Sequence, residues 1–517
     1  MAFLFRSFWF DLCLCFVSAG CVLYLWYRHK FDYWKKKGVP GPEPSVPFGS
    51  IKQMALGNKH FGEVIAQIYE QSKQHPFIGA YLLHRPALVV NDLDLVKTIL
   101  VKDFIHFTDH GVKFDHKWEP IRAGLFHVTG KDWKRLRAKL TPAFTVSKVK
   151  GMFDTIASCG TAMQKFLEAK AAVGGTIDAK DVMGKFTSDV IVSVAFGIDS
   201  NSFTSSPAVY KQMGSMVFDL DLRKRLSQFL SFFVPNVQRV LGFRLVDKKV
   251  SDFFSETIEA TVKFREENNV IRKDIMHCLI QLKNNQSIEE ITEEFTESLH
   301  PKEENPWLTM SELSAQAFGF FVAGYETSST LLSFTIYEMA RHPDLQVVLH
   351  RELDQILDKY NGEITYEGLK EMAYMLQVIH EALRLYPTLP IVFRICTKRY
   401  VIPGTDVVIE KDTPVIIPTW GIQKDPAIYP NPLEFDPTRF TPENKAARHP
   451  YSLLSFGEGP RICIARKVAM LQIQIALVSV FRYYKVSIID DNPIEISKKT
   501  FFVTPKDGIK IKIEKRF

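Results

Sequence analysis

The stretch from Thr309 to Arg341 constrains this chain more than any other. It opens with Leu308-Thr309-Met310-Ser311-Glu312, a capping box in which Thr309 is the N-cap and Glu312 stands three residues on. No breaker follows until His342-Pro343, so one helix of about thirty residues, roughly 45–50 Å long, is expected. Its first half, Ala315–Ala323 (AQAFGFFVA), is apolar nearly all round, the mark of a helix buried on every side. Its middle, Gly324-Tyr325-Glu326-Thr327-Ser328-Ser329-Thr330, is different. Gly324 weakens the helix by about 1 kcal/mol relative to alanine, and the hydroxyl side chains compete for backbone carbonyls. Two readings stay open there: a groove in which an acid beside a hydroxyl relays protons, or a merely structural kink with hydroxyls bonded to carbonyls.

The chain's 517 residues exceed the usual single-core limit of roughly 250–300 residues. There is neither a repeat nor a composition break, and the signals are mostly helical between about Leu95 and Arg384, with breakers at Thr141-Pro142, Gly174-Gly175 and Val234-Pro235-Asn236. Short β-rich runs occupy Pro76–Val90, with a turn around His84-Arg85-Pro86, and Arg399–Trp420, with turns at Pro-Gly and Lys-Asp. Residues 283–306 are acidic and polar and read as an exposed loop. Gly508–Ile513 alternates with period two and reads as an edge strand. The expectation is one large, mostly helical α+β domain over residues 48–517.

Two segments precede it. Phe8–Tyr27 is nearly all apolar, long enough for the roughly 30 Å of bilayer hydrocarbon, and is followed by Arg28, His29, Lys30 and then Lys35–Lys37. Its aromatic end is unlike a cleavage site, so residues 1–30 read as a retained signal-anchor rather than a cleaved peptide or a core helix. Asp11 makes the span short or tilted, and the basic cluster after it predicts a cytosolic body. Residues 31–47, basic and then proline-rich from Pro40 to Pro47, read as a stiff hinge.

The net charge of +7 is modest for the length, and no basic stripe with interleaved aromatics suggests a nucleic-acid groove. Phenylalanine, at 40 copies, points to large apolar interiors or apolar ligands. The seven cysteines show no paired or zinc spacing and must be judged singly. Cys463 stands out, in Ser455–Lys467, SFGEGPRICIARK. A cysteine entering a helix N-terminus meets free N–H groups that favour its thiolate. Gly457 and Gly459 permit close approach of a flat ligand, Arg461 could bond an anionic group of it, and Phe456 could pack on its face. A lone thiolate fits one axial ligand on haem iron and excludes structural zinc; an inert buried cysteine is the competing reading.

Two other patterns look ordinary by themselves. Gln377, His380, Glu381 and Arg384 share one stripe of the helix Met375–Leu385, which alone reads as a solvated face whose ion pair contributes about 0.2–0.5 kcal/mol. Trp133 and Arg137 share a helix face at i, i+4, and a tryptophan beside an arginine is commonly surface packing.

Read together, these segments resemble the microsomal cytochromes P450, over nearly the whole length. FGEGPRIC resembles the family's cysteine loop, which implies that Cys463 is the axial iron ligand with Phe456, Gly457, Gly459 and Arg461 around the haem. AGYETS resembles the oxygen-activating groove and implies Ala323 beside the haem and Glu326 and Thr327 as the acid/alcohol pair. EALR and DPTRF imply a buried triad of Glu381, Arg384 and Arg439 that braces the cysteine loop, and WKRLR and PIVFRIC imply Trp133, Arg137 and Arg394 as propionate contacts. Phe114, Phe318, Ile391, Val392 and Phe393 are implied substrate contacts. LTPAFTVSKVKGMF and FFVAGYETSST are most similar to insect members, especially the insect family six. Ala465 departs from the pattern, standing where the family usually has glycine.

The resemblance implies a haem-thiolate monooxygenase that inserts one atom of O2 into a lipophilic substrate, such as a plant toxin, an insecticide or an endogenous lipid or steroid. Electrons would come from NADPH through NADPH–cytochrome P450 reductase, with cytochrome b5 as a further partner, at the cytosolic face of the endoplasmic reticulum. An isomerase or dehydratase with the same haem ligation is the alternative; the Glu326-Thr327 pair argues against it. Lys131, Lys134, Arg135, Lys139, Arg466 and Lys467 read as a basic face for the reductase or as a dispersed solvated surface, and Ser231–Pro235 as a second membrane contact or a core aromatic run.

Overall fold

The computed structural model describes residues 2–112, 117–205, 207–219, 221–233, 244–286, 288 and 308–517, the side chains of residues 2–8, 222 and 230–233 excepted. Phe114, Val234-Pro235 and most of the acidic stretch 283–306 lie outside these residues, as do the side chains of Ser231, Phe232 and Phe233. The helices that matter below are α1 (Ala2–Phe31), α2 (Phe61–Ser72), α3 (Gly130–Leu140), α4 (Phe153–Ala172), α5 (Ala179–Ile191), α6 (Lys248–Glu267), α7 (Met310–Arg341), α8 (Ala373–Leu385) and α9 (Arg466–Phe481). The strands are β1 (Phe77–Leu82), β2 (Arg85–Val90), β3 (Thr176–Asp178), β4 (Val392–Ile395), β5 (Tyr400–Val401), β6 (Val408–Ile409), β7 (Pro414–Ile417), β8 (Tyr484–Ile488) and β9 (Lys510–Lys515). The chain packs as two compact units, residues 1–111 with 391–422, and residues 112–390 with 423–517.

The first unit holds the sheet β1-β2-β7-β4, antiparallel except where β2 runs parallel to β7, and the small ladder β5-β6. The hairpin turns at Leu83-His84, one residue earlier than the proline suggested, because Leu83 adopts a positive φ of 55°. α1 leaves its large apolar side chains exposed from Trp9 to Trp26, as suits a helix whose solvent is lipid. The hinge after it is fastened to β1. Trp34 is buried, its Nε1 donates to the Ala80 carbonyl at 3.0 Å, and a Cβ on Gly79 would fall 2.1 Å from its ring. Pro40 accepts the Gly79 N–H at 2.8 Å, so the proline stretch continues as a lashing along the sheet edge.

The second unit is built around α7. Its capping box forms in full, Glu312 N–H to Thr309 Oγ1 at 3.1 Å and Thr309 N–H to Glu312 Oε2 at 2.9 Å, and the helix runs unbroken to Arg341. The apolar half lies against α6, where Phe254 meets both Phe318 (5.2 Å) and Phe321 (4.7 Å), and the polar middle lies against α5. α9 is also buried from Leu471 to Phe481 and packs on α4 and α7. The terminal strand β9 is not an edge strand: it lies between β3 and β8. Alternation located its buried side chains, Ile511 and Ile513, but says nothing of which backbone edges are paired.

Candidate active site

Within α7, buried almost throughout, one stripe stays open. Ala323 is exposed and Gly319 and Thr327 are half-buried, at i, i+4 and i+8 on one face. Thr327 donates its hydroxyl proton to the Ala323 carbonyl at 2.5 Å, the i−4 back-bonding open to a threonine within a helix. Glu326 faces elsewhere, since successive helical residues are about 100° apart. It is buried against α5, where Lys180 Nζ meets its Oε1 at 2.9 Å. Lys180 spends its other two protons on Ser329 Oγ (2.9 Å) and Thr330 Oγ1 (2.7 Å), and Thr330 in turn donates to Glu326 (3.2 Å). Burial holds the Lys180 ammonium below its ordinary pKa, with Glu326 opposing that shift. Sequence reasoning missed Lys180, because nothing local marks a lysine on α5 as the partner of an acid 146 residues away.

The cysteine loop closes on itself. Gly457 N–H bonds the Leu454 carbonyl (2.8 Å), Ile462 N–H that of Gly459 (2.9 Å) and Cys463 N–H that of Phe456 (2.9 Å). Gly457 and Gly459 have φ of 69° and 75°, which glycine adopts without strain. α9 begins at Arg466, so Cys463 stands ahead of the helix rather than at its N-terminus. Its side chain is accessible even though protein crowds it closely enough that burial pushes the thiol up; the Ala465 N–H and the charges of Arg137 and Arg466 pull the other way.

The bracing of this loop is explicit. Glu381 and Arg384 on α8 are fully buried and bound side by side, Nε to Oε2 at 2.7 Å and Nη2 to Oε1 at 2.8 Å. Arg384 also donates to the carbonyls of Gln423 (2.9 Å), Pro432 (2.8 Å) and Glu434 (3.1 Å). Arg439 Nε completes an ion pair with Glu381 at 3.4 Å, and the Asp436 N–H bonds the same carboxylate at 2.9 Å. The solvated-face reading of this stripe therefore fails. Burial raises the Glu381 pKa, with Arg384 opposing it. The cluster reaches the loop through Gln423, which donates to the Leu383 and Arg384 carbonyls and accepts the Leu454 N–H, and through Ser455 Oγ to the Leu383 carbonyl at 3.2 Å.

Trp133 is buried, but the cation over its ring at 4.1 Å is Arg461, not Arg137. Arg461 donates to the carbonyls of Leu125 (3.2 Å) and Val128 (3.0 Å). Arg137 makes no side-chain hydrogen bond among the described residues and feels Cys463 as its electrostatic neighbour. Phe456 carries the Arg466 guanidinium 5.6 Å over its ring. Phe318 is buried in the aromatic cluster with Phe254 and does not join the open stripe. Ile391, Val392, Phe393 and Arg394 belong to the first unit, in and beside β4. Arg394 is 2% exposed, and its one hydrogen bond among the described residues is to the Phe393 carbonyl at 2.8 Å. Of the basic face, Arg135 is committed to Glu312 at 2.7 Å, while Lys131, Lys134, Arg466 and Lys467 are exposed.

These residues fit an iron porphyrin. Cys463 offers one accessible sulfur, and among the described residues no cluster of three or more histidine, cysteine or carboxylate groups could hold a metal by itself. Arg137, in the same unit as Cys463, is a cation without an acidic partner among the described residues, as suits a ligand bearing carboxylates. α7 leaves a side-chain-poor stripe, Gly319 and Ala323, beside the Thr327 hydroxyl.

A profile of the family described as Cytochrome P450 matches residues 39–513, and the chain belongs to the cytochrome P450 family, the haem-thiolate monooxygenases. Its similarity to individual members falls among insect family-six proteins. It is 36% identical to cytochrome P450 6k1 of Blattella germanica over 491 residues, covering 94% of this chain and 93% of that protein. It is 35% identical to cytochrome P450 6A1 of Musca domestica over 506 residues (96% of each) and 35% identical to cytochrome P450 6a2 of Drosophila melanogaster over 515 residues (98% and 100%).

Proposed function

We propose that residues 48–517 work as one catalytic domain, held by the residue 1–30 anchor and the 31–47 hinge at the cytosolic face of the endoplasmic reticulum. In this reading NADPH–cytochrome P450 reductase, with cytochrome b5 as a second donor, supplies electrons for the oxygenation of lipophilic xenobiotics or endogenous lipids. The observation that carries it is the pairing of an accessible, crowded Cys463 sulfur with an open stripe ending at Thr327 on an otherwise dry helix. Haem b, which the Cys463 thiolate would hold, would supply the oxygen chemistry when bound.

The chain's own residues do the rest. Arg137, Arg394, Arg461 and Trp133 orient the cofactor's carboxylate edge, and Phe456, Gly457 and Gly459 shape the loop against its face. The Glu381–Arg384–Arg439 cluster keeps that loop in register through Gln423 and Ser455. The apolar half of α7 excludes water. Thr327 Oγ1 holds a proton donor at the open stripe, and Glu326, one position back and paired with Lys180, is the carboxylate that takes up protons from water and passes them on through water as they are consumed.

The test is turnover by the full-length protein in membranes with reductase, NADPH, O2 and a panel of lipophilic substrates. The expected result is oxygenated product that requires both NADPH and reductase, with Thr327→Ala keeping substrate binding and NADPH consumption while diverting electrons to peroxide. Substrate conversion without NADPH or O2 would favour the isomerase or dehydratase reading.

A further inference from the structure

Glu119 belongs to none of the motifs above. It is 4% exposed, and its carboxylate accepts three hydrogen bonds: the backbone N–H groups of Leu245 (2.9 Å) and Val246 (3.0 Å) on one oxygen and Arg122 Nη1 (2.9 Å) on the other. Beside it, Trp118 carries the Arg244 guanidinium 4.8 Å over its ring. Two consecutive residues thus grip three consecutive residues 126 positions further along. An ionised carboxylate is removed from water only where donors replace its hydration, and here both oxygens are answered, by fixed backbone and by a buried cation.

What Glu119 grips from the other side is a wall of the open stripe. Pro120–Arg122 is a short 3-10 turn packed on α7. Just past it, Gln316 of α7 accepts the Leu125 N–H (2.8 Å) and donates to the Ala123 carbonyl (3.1 Å). Gly124, between them, lies so close that a Cβ there would stand 3.0 Å from the Ala315 carbonyl and 3.7 Å from Gly319, the first residue of the Gly319–Ala323–Thr327 stripe. Arg461 fixes the far end through the Leu125 and Val128 carbonyls. Two of these three clamps tie the wall to α7 and to the cysteine loop. The Glu119 clamp is the one of the three that ties it to residues 244–246, with Trp118 over Arg244 beside it; this is the approach to α6, whose Phe254 packs on α7.

We infer that Glu119 is a positioning residue for substrate: by holding Leu245 and Val246 it fixes the wall from Trp118 to Leu125 against the approach to α6, and so sets how a lipophilic substrate sits over the α7 stripe. The inference rests on the monooxygenase reading, which makes that stripe the substrate side. Glu119 acts through the segment it anchors rather than on the reacting atoms.

The test uses full-length, haem-loaded protein in membranes. In the double variant Glu119→Leu/Arg122→Met both charges leave together, so no unpaired charge stays buried; Glu119→Gln is the milder variant, keeping an acceptor for the two N–H groups. The readouts are amide hydrogen exchange at Leu245 and Val246, spectral titration with one compact and one bulky lipophilic ligand, and steady-state kinetics. In the double variant the two amides exchange at least about tenfold faster, and KM and the dissociation constant for the bulky ligand rise about tenfold with kcat changed less than about twofold. Glu119→Gln moves the same readouts in the same direction by less. Unchanged exchange would overturn the inference, and so would faster exchange with both ligands bound as before. Failure of the monooxygenase reading shows separately, as unaltered protein without NADPH-dependent turnover, and the spectral titration, which needs no turnover, still decides the role of Glu119.

Discussion

Arg384 and Arg394 are both arginines withdrawn from water, 0% and 2% exposed, and their surroundings differ completely. Around Arg384 every part of the guanidinium is answered: Nε and Nη2 by Glu381, Nη1 by the Gln423 and Pro432 carbonyls, and Nη2 again by Glu434. Arg394 donates only to the carbonyl of its own neighbour, its Nε has no hydrogen-bond partner among the described residues, and burial alone pulls its pKa down to about 10. The first cluster is complete as polypeptide and does mechanical work, holding Gln423 and hence the cysteine loop. The second has the chemistry of a group that meets an anion from outside the chain. A buried arginine is thus either a keystone or a ligand contact, and its list of partners tells which.

The largest effect should come from breaking the keystone. Arg384→Ala or Glu381→Ala leaves the partner charge buried and unanswered, at a cost of about 3–5 kcal/mol, so either variant should yield protein without stable haem. Haem content per protein measures it, and near-normal loading would break the contrast. Arg384→Lys should fail nearly as badly, since an ammonium cannot serve two carboxylate oxygens and three carbonyls at once.

At Arg394 the sign should differ between states. Arg394→Leu removes an uncompensated buried charge, so haem-free protein should become more resistant to urea by on the order of 1–3 kcal/mol, while the loaded protein should release haem to a scavenger faster. Faster unfolding without haem together with unchanged haem release would show that Arg394 belongs with the structural arginines after all.

A smaller, pH-dependent effect sharpens the boundary of the keystone. His380 stacks on Phe440 at 5.5 Å beside the cluster; burial, and then Lys445, hold its pKa down to about 4, against the Leu376 carbonyl, which acts the other way. In the unfolded chain it titrates near about 6.5, so between roughly pH 6.5 and 4 the unfolded state binds the extra proton. Stability should be full above that window and fall as pH drops through it. His380→Gln should flatten part of the slope of the denaturation midpoint against pH; an identical slope would remove His380 from the account.

Much of this was legible in the sequence, for physical reasons that can be named. Thr309 and Glu312 make a local pattern that needs no tertiary information, so the start of α7 was read correctly. Glu381 and Arg384, three apart on one stripe, are compatible with a solvated face or a buried clamp, and only the resemblance carried by several motifs together favoured the clamp. Partners distant in sequence were invisible: Lys180 beneath Glu326, Arg461 rather than Arg137 over Trp133, and Glu119 on residues 245 and 246. β9 was placed at an edge because alternation reports which face is buried and not how many neighbours a strand has. Cys463 was read as entering a helix N-terminus, but α9 starts only at Arg466, with the Ala465 N–H turned to the Cys463 sulfur.

The claim beneath all of these is that Cys463 binds haem iron through its sulfur. The most direct measurement is the carbon monoxide difference spectrum of the dithionite-reduced, full-length protein, compared with that of Cys463→His. A strongly red-shifted Soret band in the unaltered protein, lost in Cys463→His, is the predicted result. A band without that shift in the unaltered protein, or the same shifted band in the variant, would contradict it.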